Sequence, residues 1–356
     1  MKGYHNSFLR LLPIGFVCCA PLIVVAQEKL FPPAEDASAD YQVQVIFEGL
    51  DEPCGLVLRP TVIEEEPAQF YFAENGSGRV MRFARDSSNP QEVLRGLSTQ
   101  QSNDQQSEGP WSLAFLTPTK LVVSGGVMKG GKQHIGVYLL PTNGKVLSPD
   151  QTDHTVGPLP DSGEELGLSF LATTVGETAA YFTAGGKKTP GQIFYSALEA
   201  NRLDSFRPLL KGESTDWPAG ICLSPLNSTG SQFLVAGYVG ELEAERDSQL
   251  VFLAPKSAAE LLRLTPGLYD MVGLAYSPSG LLYALDFAWN DPESGGVYRL
   301  DDALWQGRPA CRAVKIASVI RPTSMVFTTE GNLLVTAFGS REQPNGGKII
   351  EITGEF

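Results

Sequence analysis

The segment Val272–Asp286 reads VGLAYSPSGLLYALD and contains two short apolar stretches separated by a turn sequence. The first stretch belongs to the hexapeptide Met271–Tyr276, which has a small residue, Gly273, at its third position. After Gly273, large and small side chains alternate as far as Tyr276. Such a period of two predicts an extended strand, and Ser-Pro-Ser-Gly is typical of a tight turn. The segment therefore predicts a pair of adjacent β-strands.

The same hexapeptide pattern occurs six times along the chain. The copies are Pro53–Leu58, Pro110–Phe115, Glu165–Phe170, Pro218–Leu223, Met271–Tyr276 and Pro322–Phe327. Their small third residues are Gly55, Ser112, Gly167, Gly220, Gly273 and Ser324. These are roughly 51 to 57 residues apart, a period typical of the blades of a β-propeller.

Each copy is followed by a second apolar strand, a polar loop and a third strand, and five copies also have a polar fourth strand. The last copy has no fourth strand after Lys348–Ile352, but Tyr41–Phe47 (YQVQVIF) alternates cleanly and can supply it. The sequence thus predicts an all-β fold over residues 41–356. It is a six-bladed propeller with four antiparallel strands per blade, closed by pairing of 41–47 with 348–352. A β-solenoid would need shorter repeats, and an α/β enzyme would need more helical periodicity.

The amino-terminal segment has the three parts of an export signal. Lys2 and Arg10 precede the apolar run Leu11–Ala26, which ends in Val-Val-Ala, so we expect cleavage after Ala26. The apolar run is short for a membrane span and contains two prolines. The expectation is a secreted or periplasmic protein with a signal peptide at 1–26, a flexible linker at 27–40 and no membrane span after cleavage.

Cysteine content and charge narrow the function classes. Cleavage would leave Cys54, Cys222 and Cys311, whose spacing matches no disulfide or zinc framework, so buried thiols are favoured and one disulfide stays open. The chain has 27 Lys and Arg against 40 Asp and Glu, a formal charge of −13. This balance argues against nucleic acid as a partner, because phosphate binding needs clustered basic residues.

Acidic residues recur just before the small third residue of most hexapeptides. They include Glu108, Glu164, Asp216 and Asp270, with Asp51 and Glu52 before the first copy and Arg321 before the last. If these segments share one end of the ring, the carboxylates form an acidic rim that holds Ca²⁺ or attracts a cationic ligand. The alternative is that Asp and Glu serve turn formation and solubility.

Tryptophans in the same predicted region indicate a binding surface. Trp217 opens the fourth hexapeptide, and Trp289 lies in a loop together with Asp286, Asn290 and Asp291. An aromatic ring with amides and carboxylates nearby suits stacking on a sugar or holding a peptide. For Trp111, which lies inside the repeat, packing between blades is the simpler interpretation.

Val272–Asp286 and Phe72–Arg79 (FAENGSGR) resemble NHL-repeat units, and the whole of 41–356 resembles the clan of regucalcin- and gluconolactonase-like propellers. Glu108-Gly109-Pro110 resembles the motif with which gluconolactonase-like enzymes supply one metal carboxylate. Those enzymes take further Asn and Asp ligands from positions that correspond here to Cys54, Trp111, Leu166, Ala219, Val272 and Thr323. The resemblance therefore implies the fold and leaves the metal-ligand set incomplete.

These observations favour an exported propeller that binds a small molecule, sugar or protein partner on its loop face without catalysis. The alternative is a metal-dependent hydrolase or lactonase with Glu108 at its centre. A third interpretation, a quinone-dependent sugar dehydrogenase, needs a histidine base, and His134 is the candidate in a face loop. Ca²⁺ is the one cofactor that the acidic rim suggests, and no motif requires another.

Overall fold

The computed structural model describes residues 31–61, 66–101, 107–160, 169–186, 190–211, 217–240, 246–340, 343 and 345–356. Within these ranges the chain forms six antiparallel sheets arranged as the blades of a propeller, with two 3-10 turns and no α-helix. The predicted fold class is confirmed.

Blades one to five each take their four main strands from one repeat, and blade six takes three strands from the last repeat. Two strands precede the first blade: β1 (Glu35–Asp36) and β2 (Gln42–Leu50), with a 3-10 turn at Ser38–Asp40 between them. Blade one contains β3 (Pro53–Leu58), β4 (Gln69–Glu74), β5 (Arg79–Ala84) and β6 (Gln91–Leu94). A two-stranded ribbon, β7 (Gln100–Gln101) and β8 (Ser107–Glu108), leads to blade two, which contains β9 (Pro110–Thr117), β10 (Lys120–Lys129), β11 (Lys132–Leu139) and β12 (His154–Val156).

The other four blades follow the same order. Blade three contains β13 (Ser169–Val175), β14 (Ala179–Gly185), β15 (Gln192–Glu199), the short β16 (Arg202–Leu203) and the outer β17 (Arg207–Lys211). Blade four contains β18 (Trp217–Leu223), β19 (Leu234–Val239), β20 (Gln249–Leu253) and β21 (Glu260–Leu264). Blade five contains β22 (Met271–Tyr276), β23 (Leu282–Asp286), the 3-10 turn Pro292–Ser294, β24 (Gly296–Trp305) and β25 (Arg308–Ser318). Blade six contains β26 (Pro322–Phe327), β27 (Leu333–Ala337) and β28 (Gly347–Thr353).

The ring is closed by the strand that lies ahead of the first blade. β2 pairs antiparallel with β28, in a register that runs from Gln42 opposite Thr353 to Leu50 opposite Gly347. It is therefore the fourth strand of blade six, as predicted, although it extends three residues beyond Phe47. Phe47 packs edge-on against Phe83 of blade one, with ring centroids 5.0 Å apart. The closing strand thus also joins blade six to blade one.

The first strand of each blade lies nearest the propeller axis. Each of these inner strands contacts the inner strands of two neighbouring blades, in the circular order β3, β9, β13, β18, β22, β26 and back to β3. The core lies between blades, where second-strand side chains such as Phe70, Phe182 and Tyr283 are fully buried. A blade cannot bury both faces alone, so packing on two neighbours supplies most of the hydrophobic stabilisation.

Polar side chains connect neighbouring blades close to the axis. The Thr183 hydroxyl donates to the Ala219 carbonyl at 3.2 Å, and the Thr323 hydroxyl donates to the Pro53 carbonyl at 2.7 Å. The Cys54 thiol donates to the Pro110 carbonyl at 3.1 Å. Cys54, Cys222 and Cys311 are all buried and unpaired in the described chain, which agrees with the preference for structural thiols. Burial raises the pKa of each thiol, so all three stay protonated.

Blade three differs from the sequence alignment. Its inner strand begins at Ser169, and Thr183 lies opposite Ala172, in the same way that Thr336 lies opposite Ser324 in blade six. The small third residue of this blade is therefore Ala172 and not Gly167. The alignment was misled because Leu-Gly-Leu-Ser-Phe imitates the pattern five residues early, whereas the turn before β14 fixes where the strand ends.

Part of the segment predicted as a flexible linker is paired with blade five. β1 lies parallel to β25, with Glu35 opposite Val314, and the Glu35 carboxylate pairs with Arg312 at 2.7 Å. Phe31 packs against Gly267, where a side chain would overlap its ring. In the described ranges, no helix has the length and apolar character needed to span a bilayer.

Candidate functional site

The loop face is the end of the propeller at which every inner strand begins. It carries the segments that lead into the inner strands and the loops that follow the second strands, so it gathers side chains from all blades. This is the face on which the acidic rim and Trp289 were predicted to lie. Its described part contains an aromatic row and a set of buried carboxylates.

The aromatic row consists of four rings from three blades. Trp111 of blade two lies 5.7 Å from Phe338 of blade six, and Phe338 lies 5.9 Å from Phe287 of blade five, measured between ring centroids. Phe287 stacks on Trp289 at 5.4 Å with an interplanar angle of 27°. Phe287 is buried, whereas Trp111, Phe338 and Trp289 are half-buried. The row therefore presents aromatic surface on the loop face between blades that are far apart in sequence.

Two buried carboxylates fix the loop that carries Trp289. Asp286 accepts hydrogen bonds from the backbone N–H groups of Tyr269 at 3.0 Å and Asp270 at 2.7 Å. Asp270 in turn accepts from the N–H of Trp289 at 2.5 Å. The side chains of Asp270 and Asp286 are 6% and 1% exposed. Asp286 thus fixes the segment that carries Asp270, and Asp270 fixes the backbone of Trp289, so the two carboxylates act in series to hold Trp289 against Phe287.

Burial also changes the acidity of these carboxylates. It raises the pKa of Asp270 to about 6, with a smaller upward contribution from the charges of Asp286 and Asp247 and an opposing one from the Trp289 N–H. Burial raises the pKa of Asp286 too, against its backbone hydrogen bonds and the positive charge of Arg246. The Arg246 guanidinium lies 5.0 Å from the centre of the Tyr269 ring. At neutral pH the Asp270 carboxylate is therefore mostly ionised in a poorly solvated environment, which disfavours the folded state.

Replacing Asp270 by Asn is expected to stabilise the protein at high pH. The folded-state pKa of Asp270 lies about two units above its ordinary value, so its stabilising contribution is complete below pH 4 and is lost as the pH rises through 6. Asp270→Asn removes that loss while its amide oxygen still accepts from Trp289. We expect a gain of about 3 kcal/mol in the free energy of unfolding at pH 8 and little change at pH 4. Urea unfolding at both values measures it, with the exposed Asp291→Asn as control. An equal shift at both values would contradict the assignment.

The other residues predicted for ligand binding lie around the same loop. Val239, the last residue of β19, pairs with Trp217 on one side and forms an isolated bridge with Asp270 on the other. Trp217 and Asp270 therefore lie on opposite sides of the end of β19. Trp217 also contacts Gly185 of blade three. Asn290 and Asp291 are exposed, and Asp291 accepts a hydrogen bond from the Ser294 hydroxyl at 2.5 Å. The structure therefore groups the five predicted ligand-binding residues at blades four and five.

The predicted metal ligands are only partly described. Glu164 and Asp216 lie outside the described residues, and of Glu108 only the backbone is described, in β8. No three His, Cys, Asp or Glu side chains in the described ranges converge as a metal site. Asp270 is already bonded to Trp289. The calcium site thus stays a prediction that depends mainly on side chains beyond the described ones.

The turn that carries Glu108 is fixed by blade one. The Asn75 side-chain oxygen accepts from the Gly109 N–H at 2.6 Å, and a Cβ at Gly109 would overlap the Asn75 carbonyl oxygen. Asn75 is 1% exposed, and its Nδ2 has no hydrogen-bond partner in the described chain. The glycine of Glu-Gly-Pro is therefore required by packing, whatever the function of Glu108.

His134 does not lie in a loop, which corrects the sequence prediction. It belongs to β11, opposite Val127, and is buried, with Nδ1 3.0 Å from the Lys132 carbonyl. The sequence analysis placed it in a loop because Lys129–Lys132 is rich in Gly and Lys. In the structure, β10 and β11 continue as a paired hairpin on both sides of that turn.

Phe287 and Phe338 were missed as members of the site. Each follows its second strand at the same offset, directly after Asp286 in blade five and directly after Ala337 in blade six. Comparing the residue after each second strand would have pointed to these positions. Both are apolar residues directly after a buried strand, however, so the sequence alone does not distinguish them from a continuation of that strand.

Comparison with known proteins supports the architecture. No protein-family model matches this sequence, and no curated protein sequence matches it. Among solved structures, the chain is similar to a luciferin-regenerating enzyme, with a TM-score of 0.58, 11% identity, and coverage of 88% of this chain and 95% of that one. It is also similar to the PQQ-bound aldose sugar dehydrogenase of Streptomyces coelicolor, with a TM-score of 0.59, 12% identity, and coverage of 91% and 100%. At such identities the likeness defines the class as a six-bladed propeller and leaves the activity open.

Proposed function

We propose that this protein is an exported propeller that binds a neutral saccharide on its loop face, through the aromatic row and without catalysis. The observation that carries the proposal is the positioning of Trp289, which stacks on Phe287 while its backbone is bonded to Asp270. A ring fixed in this way binds with little loss of conformational freedom.

The surroundings of Trp289 favour a sugar over a charged ligand. Asn290 and Asp291 are exposed beside it and offer an amide and a carboxylate to hydroxyl groups. Trp111 adds aromatic surface to the row through its contact with Phe338. Sugar rings present apolar C–H faces and polar edges, which match aromatic rings bordered by hydrogen-bonding groups.

Trp289→Ala is expected to weaken saccharide binding by at least about ten-fold, because it removes the half-buried ring proposed to stack on the sugar. Calorimetric titration with cello-, xylo-, chito- and malto-oligosaccharides measures it. Trp305→Ala is the matched control, since Trp305 ends β24 in the turn to β25, away from the loop that carries Trp289. If no saccharide binds, or if both variants bind equally, the saccharide proposal fails. Retention of a peptide ligand that depends on Trp289 would instead assign the same face to a protein partner.

A further inference from the structure

A separate cavity lies along the axis of the propeller. It has a volume of about 760 Å³ and is walled by residues of all six inner strands. Its lining includes Pro60, Glu177, Leu226 and Gln232, which lie between the first and second strands of their blades. These segments define the turn face, opposite the loop face. At the other end the wall includes Trp111 but no other ring of the aromatic row, so the cavity opens on the turn face.

The cavity wall carries almost no charge. Among its described lining residues, Glu177 is the one Asp, Glu, Lys or Arg, and it lies exposed at the opening. Deeper in, Leu56, Ile221 and Leu274 supply apolar surface. Burial raises the pKa of Cys222, which keeps that thiol neutral at physiological pH. An ionic ligand would leave water without gaining an opposite charge, which disfavours its binding.

Hydrogen-bonding groups in the wall come from uncharged side chains, such as Ser112, Thr173 and Ser324, and from backbone. Each inner strand pairs within its blade on one side, with the second strand, and turns its other edge towards the axis. One backbone group on these edges, the N–H of Leu56 in blade one, donates to the Ser324 hydroxyl of blade six at 3.0 Å. Strand edges offer further N–H and C=O groups to hydroxyl or carbonyl groups of a ligand. The volume lies within the roughly 300 to 1,000 Å³ typical of small-molecule sites.

We propose that the axial cavity binds an uncharged, largely apolar small molecule, carrying hydroxyl or carbonyl groups, that enters from the turn face. Three observations support it: the cavity volume, the absence of charged residues other than Glu177 from the described lining, and the strand edges that face the axis. The two sites share Trp111, but Phe287, Phe338 and Trp289 do not line the cavity, so a variant at Trp289 separates the two proposals. The net charge of −13 further disfavours anions.

Two fluorescent dyes with the same aromatic skeleton test the chemical class. Phenylnaphthylamine is neutral, and anilinonaphthalene sulfonate carries one negative charge. We expect saturable binding of the neutral dye to one site and an affinity for the anion that is at least about ten-fold lower. Equal affinities, or no saturable binding of the neutral dye, would overturn the proposal.

Substitutions in the cavity wall test whether the dye binds in the axial cavity. Thr174 lines the cavity on β13, so Thr174→Trp is expected to fill it and to weaken binding of the neutral dye by at least about ten-fold. Thr142→Trp introduces the same side chain at an exposed position outside this cavity and is the matched control. Undiminished dye binding by Thr174→Trp with an unchanged melting temperature would overturn the proposal.

A second variant tests binding in the cavity if Thr174→Trp disturbs folding. Leu226 lies at the opening and is 61% exposed, so Leu226→Asp leaves the core intact. It is expected to weaken dye binding by about three-fold or more, because it adds charge at the entrance. Unchanged affinity would contradict entry from the turn face. Trp289→Ala should keep full affinity for the dye, which separates this result from the fate of the saccharide proposal.

Discussion

A chain that begins at Asp51, and so lacks β2, is expected to lose its cooperative unfolding transition. Without β2, the edge of β28 is unpaired along its whole length, and the blade-six residues Ile350 and Ile352 lose cover on that side. The contact between Phe47 and Phe83 at the junction with blade one also disappears. Because every blade depends on two neighbours, opening the ring at one junction weakens all of them.

Thermal unfolding followed by circular dichroism measures this loss, and a chain that begins at Tyr41 is the control. The control keeps β2 but lacks β1, the exposed ion pair between Glu35 and Arg312 and the packing of Phe31 on Gly267, so its stability should fall by about 1 to 3 kcal/mol and its transition should stay cooperative. A synthetic peptide of residues 41–50, added in trans, should restore part of the transition in the shorter chain. An unchanged melting temperature without β2 would show that the ring does not depend on this strand.

The fold could be predicted because the same strand pattern occurs six times in the sequence. Five hexapeptides coincide with inner strands, and Tyr41–Phe47 coincides with most of the closing strand, since alternation and turn residues determine local structure directly. Blade three shows the limit of such alignment. Glu165–Phe170 matches the repeat pattern, whereas Phe170–Val175 has the polar Thr173 after its small residue, and only the pairing of Thr183 with Ala172 identifies it as the equivalent stretch.

The site was predictable only in part. Because Asp270 precedes an inner strand, the sequence predicted that it lies on the loop face, as it does. Nothing in the sequence showed that its carboxylate accepts a hydrogen bond from the N–H of Trp289. Likewise, the row from Trp111 through Phe338 to Phe287 joins blades two, six and five, and such contacts depend on ring geometry. A repeat pattern specifies which residues share a face, whereas which of them touch depends on loop conformations that differ from blade to blade.

Ring closure also supports the two binding proposals. The loop face gathers Trp111 and Trp289 because blades two and five belong to one closed ring, and the axial cavity exists because six inner strands surround it. Both sites would lose their geometry in an open array of blades. Closure by β2 and β28 is therefore the claim on which the account depends.

A disulfide across the closing pair tests that claim most directly. Gln42 and Thr353 are backbone partners at one end of the pairing between β2 and β28. Gln42 is exposed and Thr353 is half-buried. The double variant Gln42→Cys with Thr353→Cys therefore brings two thiols within reach of each other. Cys54, Cys222 and Cys311 are buried and do not compete. As a control for oxidation, Ala303→Cys with Ala310→Cys places a pair across the local hairpin of β24 and β25.

The measurement is the free energy of unfolding of the cross-linked protein relative to its reduced form, in the chain from Gln27 onwards. The account predicts that the disulfide forms without added strain and stabilises the protein by about 4 kcal/mol, because it closes a loop that contains nearly the whole propeller. If the thiols at 42 and 353 remain free under conditions that oxidise the control pair, the ring is not closed by these strands and the account is contradicted.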